Sequence, residues 1–325
     1  MHFDRAARFM SDLLFDFSRD DFYVSALAHR VGSVRRTLDE LARDGLLSGS
    51  EETLRQVGYQ YNCSVAPGTS LTDFVADVCR QLIQDDELPK AVAVHHSYSV
   101  NTSEAPPCGS RDLLARANYF PASLLRRLGL DHVPYCGSYA TGCTGFMSLL
   151  VLAASLLKAK SVDNVMCLTA DLKPPGTTYD SARERLLTSD ATSGFIANRI
   201  PRGFQVIGVG HYSSSRELIP LVEVVKRAVQ MTQQLLDLSV TSEESSSMLC
   251  HYPNMFVEAW RMVSHFLKIP KENELFDGMA ERAHCLSSDA IISLENVLGT
   301  TPGRMHAVYS FGSGLHLAVA ILREV

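Results

Sequence analysis

Four side chains in this sequence have the types needed for a nucleophile and for proton transfer: Cys143, His251, His284 and Asp289. Cys143 lies in the stretch from Tyr135 to Leu156, YCGSYATGCTGFMSLLVLAASL, where Ala140-Thr141-Gly142 precedes it and Thr144-Gly145 follows. Glycines on both sides allow a tight turn, and the apolar run that follows predicts a helix opening at the thiol. A helix N-terminus stabilises a thiolate and presents N–H groups to an anion, as a nucleophilic cysteine requires. The same stretch equally describes an inert cysteine before a core helix. His251 sits in His-Tyr-Pro-Asn254, and His284 and Asp289 sit in Ala-His-Cys-Leu-Ser-Ser-Asp. A histidine oriented by a carboxylate can shuttle a proton, whereas a core histidine and a helix-capping aspartate give the same pattern.

The elements that must position these residues alternate. Strand-like segments are Phe22 to Val31, Gly58 to Val65, Ala91 to His95, Asn164 to Thr169, Phe204 to Tyr212 and His306 to Leu322. Helical periodicity marks residues 2–18, Val34 to Leu47, the segment after Ser70 through Leu82, Leu113 to Leu128 with a break at Pro121, Leu221 to Leu238 and Met255 to Leu267. Strands alternating with helices in both halves predict a layered α/β fold with helices between sheets.

The chain has 325 residues, 46% of them hydrophobic and 20% charged, enough to bury a substantial core in one large domain or two packed halves. A net charge of −6 without a long Lys/Arg run argues against a nucleic-acid partner. The eight cysteines show no Cys-x-x-Cys pair and no zinc spacing, so no metal site is expected, and they read as reduced cytosolic thiols. Charges interrupt residues 1–21, so no signal peptide is expected there. The longest apolar run, Phe146 to Leu157, is too short to span a bilayer. A cytoplasmic protein without membrane association is the expectation.

A Gly-flanked cysteine, His-Tyr-Pro-Asn254, His284 with Asp289, and Phe311-Gly-Ser-Gly314 follow one another in this order. That order resembles the thiolase superfamily, specifically ketoacyl-acyl carrier protein (ACP) synthase III-like enzymes. Ser189 to Gly194 is similar to the Gly-Asp-Gly-Ala-Gly turn of the same family. The resemblance implies a thiolase fold of duplicated βαβαβαββ halves layered α-β-α-β-α. It divides the chain into an N-terminal helical extension (1–21), a half carrying the nucleophile (22–200) and a half carrying the His/Asp motifs (201–325). It also implies a homodimer. Cys143 would form the acyl-enzyme, with its own N–H and that of Ser313, in the turn opened by Gly312, holding the oxyanion. His251 would act as a base, with Asn254 orienting the site around it.

Two departures from the family pattern carry information. Where the common family has an asparagine, this chain has His284 with Asp289 five residues on. A Cys-His-Asp set resembles a branch of natural-product ketosynthases and acyltransferases that includes anthracycline starter-unit synthases and enzymes acylating hydroxyls. An asparagine offers only fixed hydrogen bonds, whereas a His-Asp pair can deprotonate an alcohol or amine. The family's Trp and Arg that clasp the adenine of CoA correspond by counting to Glu52 and Gln56, and the single tryptophan, Trp260, is distant in sequence. The implied function is therefore ester- or amide-forming acyl transfer from an acyl carrier protein thioester through Cys143. The alternatives are decarboxylative carbon–carbon condensation and a non-catalytic partner subunit. No resident cofactor is implied, because the acyl group arrives on the phosphopantetheine of a carrier protein or of CoA.

Overall fold

The structure, a computed structural model, describes residues 12–83, 88–97, 120–159, 162–174, 176–215, 218–238 and 240–325. Two sets of five strands carry the fold. The first comprises β1 (Tyr23–Val31), β2 (Val92–His95), β3 (Tyr135–Ser138), β4 (Asn164–Asp171) and β5 (Ala191–Asn198). The second comprises β6 (Phe204–Ser213), β7 (Leu249–His251), β8 (Glu274–Leu275), β9 (Met305–Gly312) and β10 (His316–Glu324). In space the first set runs β1-β5-β4-β2-β3 and the second β6-β10-β9-β7-β8. The strand senses repeat as well. β5 is antiparallel to β1 and β4, while β2 is parallel to β4 and β3. Likewise β10 is antiparallel to β6 and β9, while β7 is parallel to β9 and β8. Among the described residues, the pairs Phe204↔Val24 and Gln205↔Tyr23 join the two sets into one sheet. This is the duplicated α/β thiolase architecture.

Helices occupy matching places: α1 (Leu71–Leu82), α2 (Phe120–Arg127) and α3 (Gly145–Lys158) in the first half, α4 (Leu221–Leu236), α5 (Val257–Leu267) and α6 (Ser288–Val297) in the second. The sequence of α3, GFMSLLVLAASLLK, is apolar on nearly every side. A helix of that kind belongs in an interior. Phe146, Met147, Leu149 and Leu150 of α3 and Ala290, Ile291 and Leu294 of α6 pack between Val24 and Phe195 of one strand set and Val206, Val308 and Ala320 of the other. Each large side chain so buried contributes about 1.5–3 kcal/mol. α1 and α2 cover the outer face of the first set, and α4 and α5 that of the second. The layers therefore read α-β-α-β-α, and the N-termini of the two central helices carry the candidate chemistry.

Three local expectations change. Leu13–Asp16, within the segment expected to be helical, forms a strand antiparallel to β6. β6 pairs with β1 at only two positions, and residues 13–16 cover the edge that this leaves open at Gly208–His211. Residues 1–11 lie outside the described residues. Val34–Thr37 is a strand paired with Tyr61–Ser64, and the helix begins only at Leu38, where Thr37 and Glu40 form a capping box. Pro121 stands in the first turn of α2 and interrupts nothing; residues 113–119 of that expected helix lie outside the described residues. Among the described residues no helix is long and apolar enough to cross a membrane.

Candidate active site

Cys143 lies in a short 3-10 turn, Gly142–Thr144, that feeds α3, and it is 8% exposed. Gly142 adopts φ +52°, a left-handed conformation that glycine takes without a Cβ penalty. Gly312, at the end of β9, lies against the same turn. A Cβ on Gly312 would stand 2.6 Å from Thr141 O and 2.7 Å from Cys143 N. The Phe311-Gly-Ser-Gly314 turn thus faces the backbone N–H of Cys143, and Ser313 is held there at φ +52°.

The second half brings His284 and Asp289 to this place from the start of α6. The backbone of His284 is tied to the first half, since His284 N donates to Leu187 O and Ser189 N donates to His284 O, each at 3.0 Å. His284 Nδ1 lies 2.5 Å from Asp289 Oδ2, and both side chains are buried. Among the described residues Nε2 has no hydrogen-bond partner of ordinary length, yet the Cys143 thiol acts on this histidine. Burial disfavours the imidazolium, but the Asp289 charge outweighs it, and with the thiol's contribution His284 is pushed up to about 10. Asp289 moves in the opposite direction. Burial opposes its ionisation, and His284, Arg282 and the surrounding N–H groups more than offset that, holding the carboxyl well below the usual range.

Asp289 is saturated with donors. Oδ1 accepts from Arg282 Nη1 at 2.6 Å and Cys285 N at 3.0 Å, and Oδ2 accepts from Asn254 N at 3.0 Å besides His284. The Asn254 side chain donates to Asp277 O and Ala283 O at 2.8 and 2.9 Å. It therefore fastens the segment that delivers His284. Ala283 and Leu286, which flank His284 and Cys285, both have positive φ, so the loop is held in a strained form by these bonds.

Compared by sequence, the chain matches no protein-family model and no curated protein. Compared by structure, it matches many. It overlays 3-oxoacyl-[acyl-carrier-protein] synthase III from Aquifex aeolicus VF5 with a TM-score of 0.73 at 15% identity, covering 93% of this chain and 99% of that one. The chain has the synthase III fold. The acyltransferase ChlB3 overlays at 0.72 and 15% identity, with 94% and 98% covered. A variant of OleA from Xanthomonas campestris overlays at 0.69 and 16%, with 96% and 100% covered.

Within this synthase III fold, His251 stands apart from the other sequence candidates. Its Nδ1 meets Ser293 Oγ at 2.7 Å and its Nε2 meets His306 Nδ1 at 3.0 Å. Among the described residues no hydrogen bond joins it to Cys143, His284 or Asp289. Both of its ring nitrogens are engaged by these two neighbours. Phe120, Leu124, Met147 and Leu150 are core side chains of the outer and central layers. The cleft beside the turn of Gly312 is lined elsewhere. It encloses about 700 Å³, with Phe256, Ile219 and Phe311 as apolar wall and Gln56, Arg183 and Arg185 among its polar residues. Sequence reasoning missed Arg282, Ser287 and His95 at this site. Their only sequence signals are adjacency to His284, to Asp289 and to a strand end.

The buried histidines predict acid lability. Burial pushes His95 and His306 down to about 4, and holds His251 well below its ordinary value. An unfolded chain takes up these protons near pH 6.5 while the native one does not, so stability falls as pH drops below that value. The expected loss is about 1.4 kcal/mol per pH unit per histidine between pH 6 and 4. Urea unfolding at several pH values checks this, and a flat profile over that range contradicts it.

Proposed function

We propose that the protein is an acyltransferase that carries its acyl group on Cys143 and passes it from an acyl carrier protein to a hydroxyl or amine. The observation that carries this reading is the His284–Asp289 pair, buried at 2.5 Å, whose Nε2 is left open beside Cys143. A base so oriented serves an acceptor whose proton must be removed.

In the first half-reaction the Cys143 proton already rests on His284 Nε2, the charge state that Asp289 favours, and the paired sulfur attacks the thioester carbonyl. The N–H groups of Cys143 and Ser313 receive the oxyanion. Collapse breaks the substrate's C–S bond, and the pantetheine thiol leaves with the proton from His284. In the second, His284 takes the acceptor's proton, the new C–O or C–N bond forms as the Cys143 C–S bond breaks, and the proton returns to sulfur. The roughly 700 Å³ cleft suits a pantetheine arm, apolar along its wall and polar at Arg183 and Arg185. Glu52 and Gln56 bond to each other at 3.2 Å where an adenine clamp would be needed, which supports a carrier protein over CoA as donor. A second copy of the chain completes the set of partners in this reading, and no resident cofactor belongs to it.

Discharge of an acylated enzyme decides between acceptors. Hydroxyl or amine compounds are expected to release the acyl group as ester or amide faster than malonyl-carrier protein does. Faster discharge by malonyl-carrier protein, with loss of carbon dioxide, would assign decarboxylative condensation instead.

A further inference from the structure

His95 ends β2, and its imidazole reaches across to the nucleophile's own turn. Nε2 lies 2.7 Å from Gly142 O, and Nδ1 lies 2.8 Å from Ser138 Oγ. A carbonyl oxygen can only accept, so Nε2 carries the proton and Nδ1 accepts from the Ser138 hydroxyl. This single tautomer uses both nitrogens. The ring is fully buried.

The glycine after the nucleophile makes room for it. A Cβ on Gly145 would stand 2.1 Å from His95 Cδ2 and 2.5 Å from Ser287 Oγ. Ser287 Oγ makes a longer bond of 3.3 Å to the same Gly142 carbonyl and accepts from Gly145 N. Ser287 is held in turn by Ser97, whose hydroxyl also bonds Asp171.

Gly142 O and Cys143 N–H belong to one peptide group. In a trans peptide they point in opposite directions, and no cis peptide occurs among the described residues. Gly142 O faces His95, whereas Cys143 N faces Gly312. We propose that His95 is a positioning residue that locks the Gly142–Cys143 peptide, so that the Cys143 N–H stays aimed at the oxyanion. A second effect adds to the geometric one, since a hydrogen bond accepted by a carbonyl polarises its peptide and strengthens the N–H as a donor. Burial, offset only in part by the Gly142 bond, holds His95 down at about 4, so the ring stays neutral across the physiological range. This assignment rests on the acyl-enzyme reading for its consequence, though the orientation of the peptide does not depend on it.

The test separates orientation from activity. Crystal structures of the full chain and of its His95→Ala and His95→Gln variants read the peptide directly. In His95→Ala, Gly142 O is expected to turn away from its present direction, whereas the Gln amide keeps it. An unmoved peptide in His95→Ala overturns the proposal. Kinetically, His95→Ala should slow acylation of Cys143 by an acyl-pantetheine about 100- to 1,000-fold, while alkylation by chloroacetamide, which develops no oxyanion, changes less than about threefold. His95→Gln should recover acylation to within about tenfold. Equal losses in acylation and alkylation would mean general damage and overturn the proposal. If His95→Ala does not fold, His95→Asn, whose amide is too short to reach Gly142, takes its place with the same expectations. Wild-type protein that no thioester acylates would end the acyl-enzyme reading, and the crystal structures would still decide the orientation.

Discussion

Asp289→Ala is expected to destabilise the protein by about 3–5 kcal/mol and to lower acyl transfer about 10,000-fold. The large stability loss follows from the carboxylate's partners. Arg282 Nη1, Cys285 N, Asn254 N and His284 Nδ1 all donate to it, and the Arg282 side chain is only 11% exposed. Removing the acceptor leaves the Arg282 guanidinium with only the longer 3.8 Å ion pair to Asp277 among the described residues and strands two buried N–H groups, a larger cost than the loss of any one bond. The activity loss has a separate cause. Without Asp289 the ring of His284 is free to turn and to bind its proton on the wrong nitrogen. Urea unfolding together with single-turnover acylation checks both effects. A variant as stable as wild type would show that the carboxylate does not hold the loop of residues 282–289.

His284→Ala is expected to behave differently, with acylation slowed about 1,000-fold or more while the fold persists. Asp289 keeps Arg282, Cys285 N and Asn254 N after the imidazole is gone, so no buried charge is abandoned. The pH dependence of stability changes in a defined sense. His284 sits above its unfolded value, so its contribution is fully present below about pH 6.5 and is lost as pH rises toward about 10. Asp289 sits below its unfolded value, so its contribution is present above about pH 4 and is lost as pH falls further. His284→Ala should therefore remove the alkaline decline and leave a weakened acid one. Thermal melts from pH 7 to 10 read this, and an unchanged alkaline decline in the variant would place its cause elsewhere.

The parts of the site that could be read from sequence are those fixed by local geometry. Glycines around Cys143 announce a tight turn because glycine takes φ +52° at 142 without a Cβ penalty and leaves room for the imidazole packed against 145. His284 and Asp289, five residues apart at a helix start, are close enough for their pairing to be local. The alternation of strands and helices gives the layers, and the nearly all-round apolar surface of α3 places it in the middle. What was not legible depends on distant partners. The partners that engage His251, Ser293 and His306, lie 42 and 55 residues away. The part His95 plays appears only when β2 is laid beside the turn at 142, 47 residues on. Helical spacing over residues 13–16 likewise yields to an open strand edge nearly 200 residues downstream.

Intact-protein mass spectrometry after incubation with acyl-carrier thioesters, comparing the wild-type chain with Cys143→Ala, tests the central claim most directly. The wild-type mass is expected to rise by one acyl group, and the variant's mass to stay unchanged. An adduct that persists in Cys143→Ala, or none in the wild type with any donor, would contradict an acyl-enzyme at Cys143.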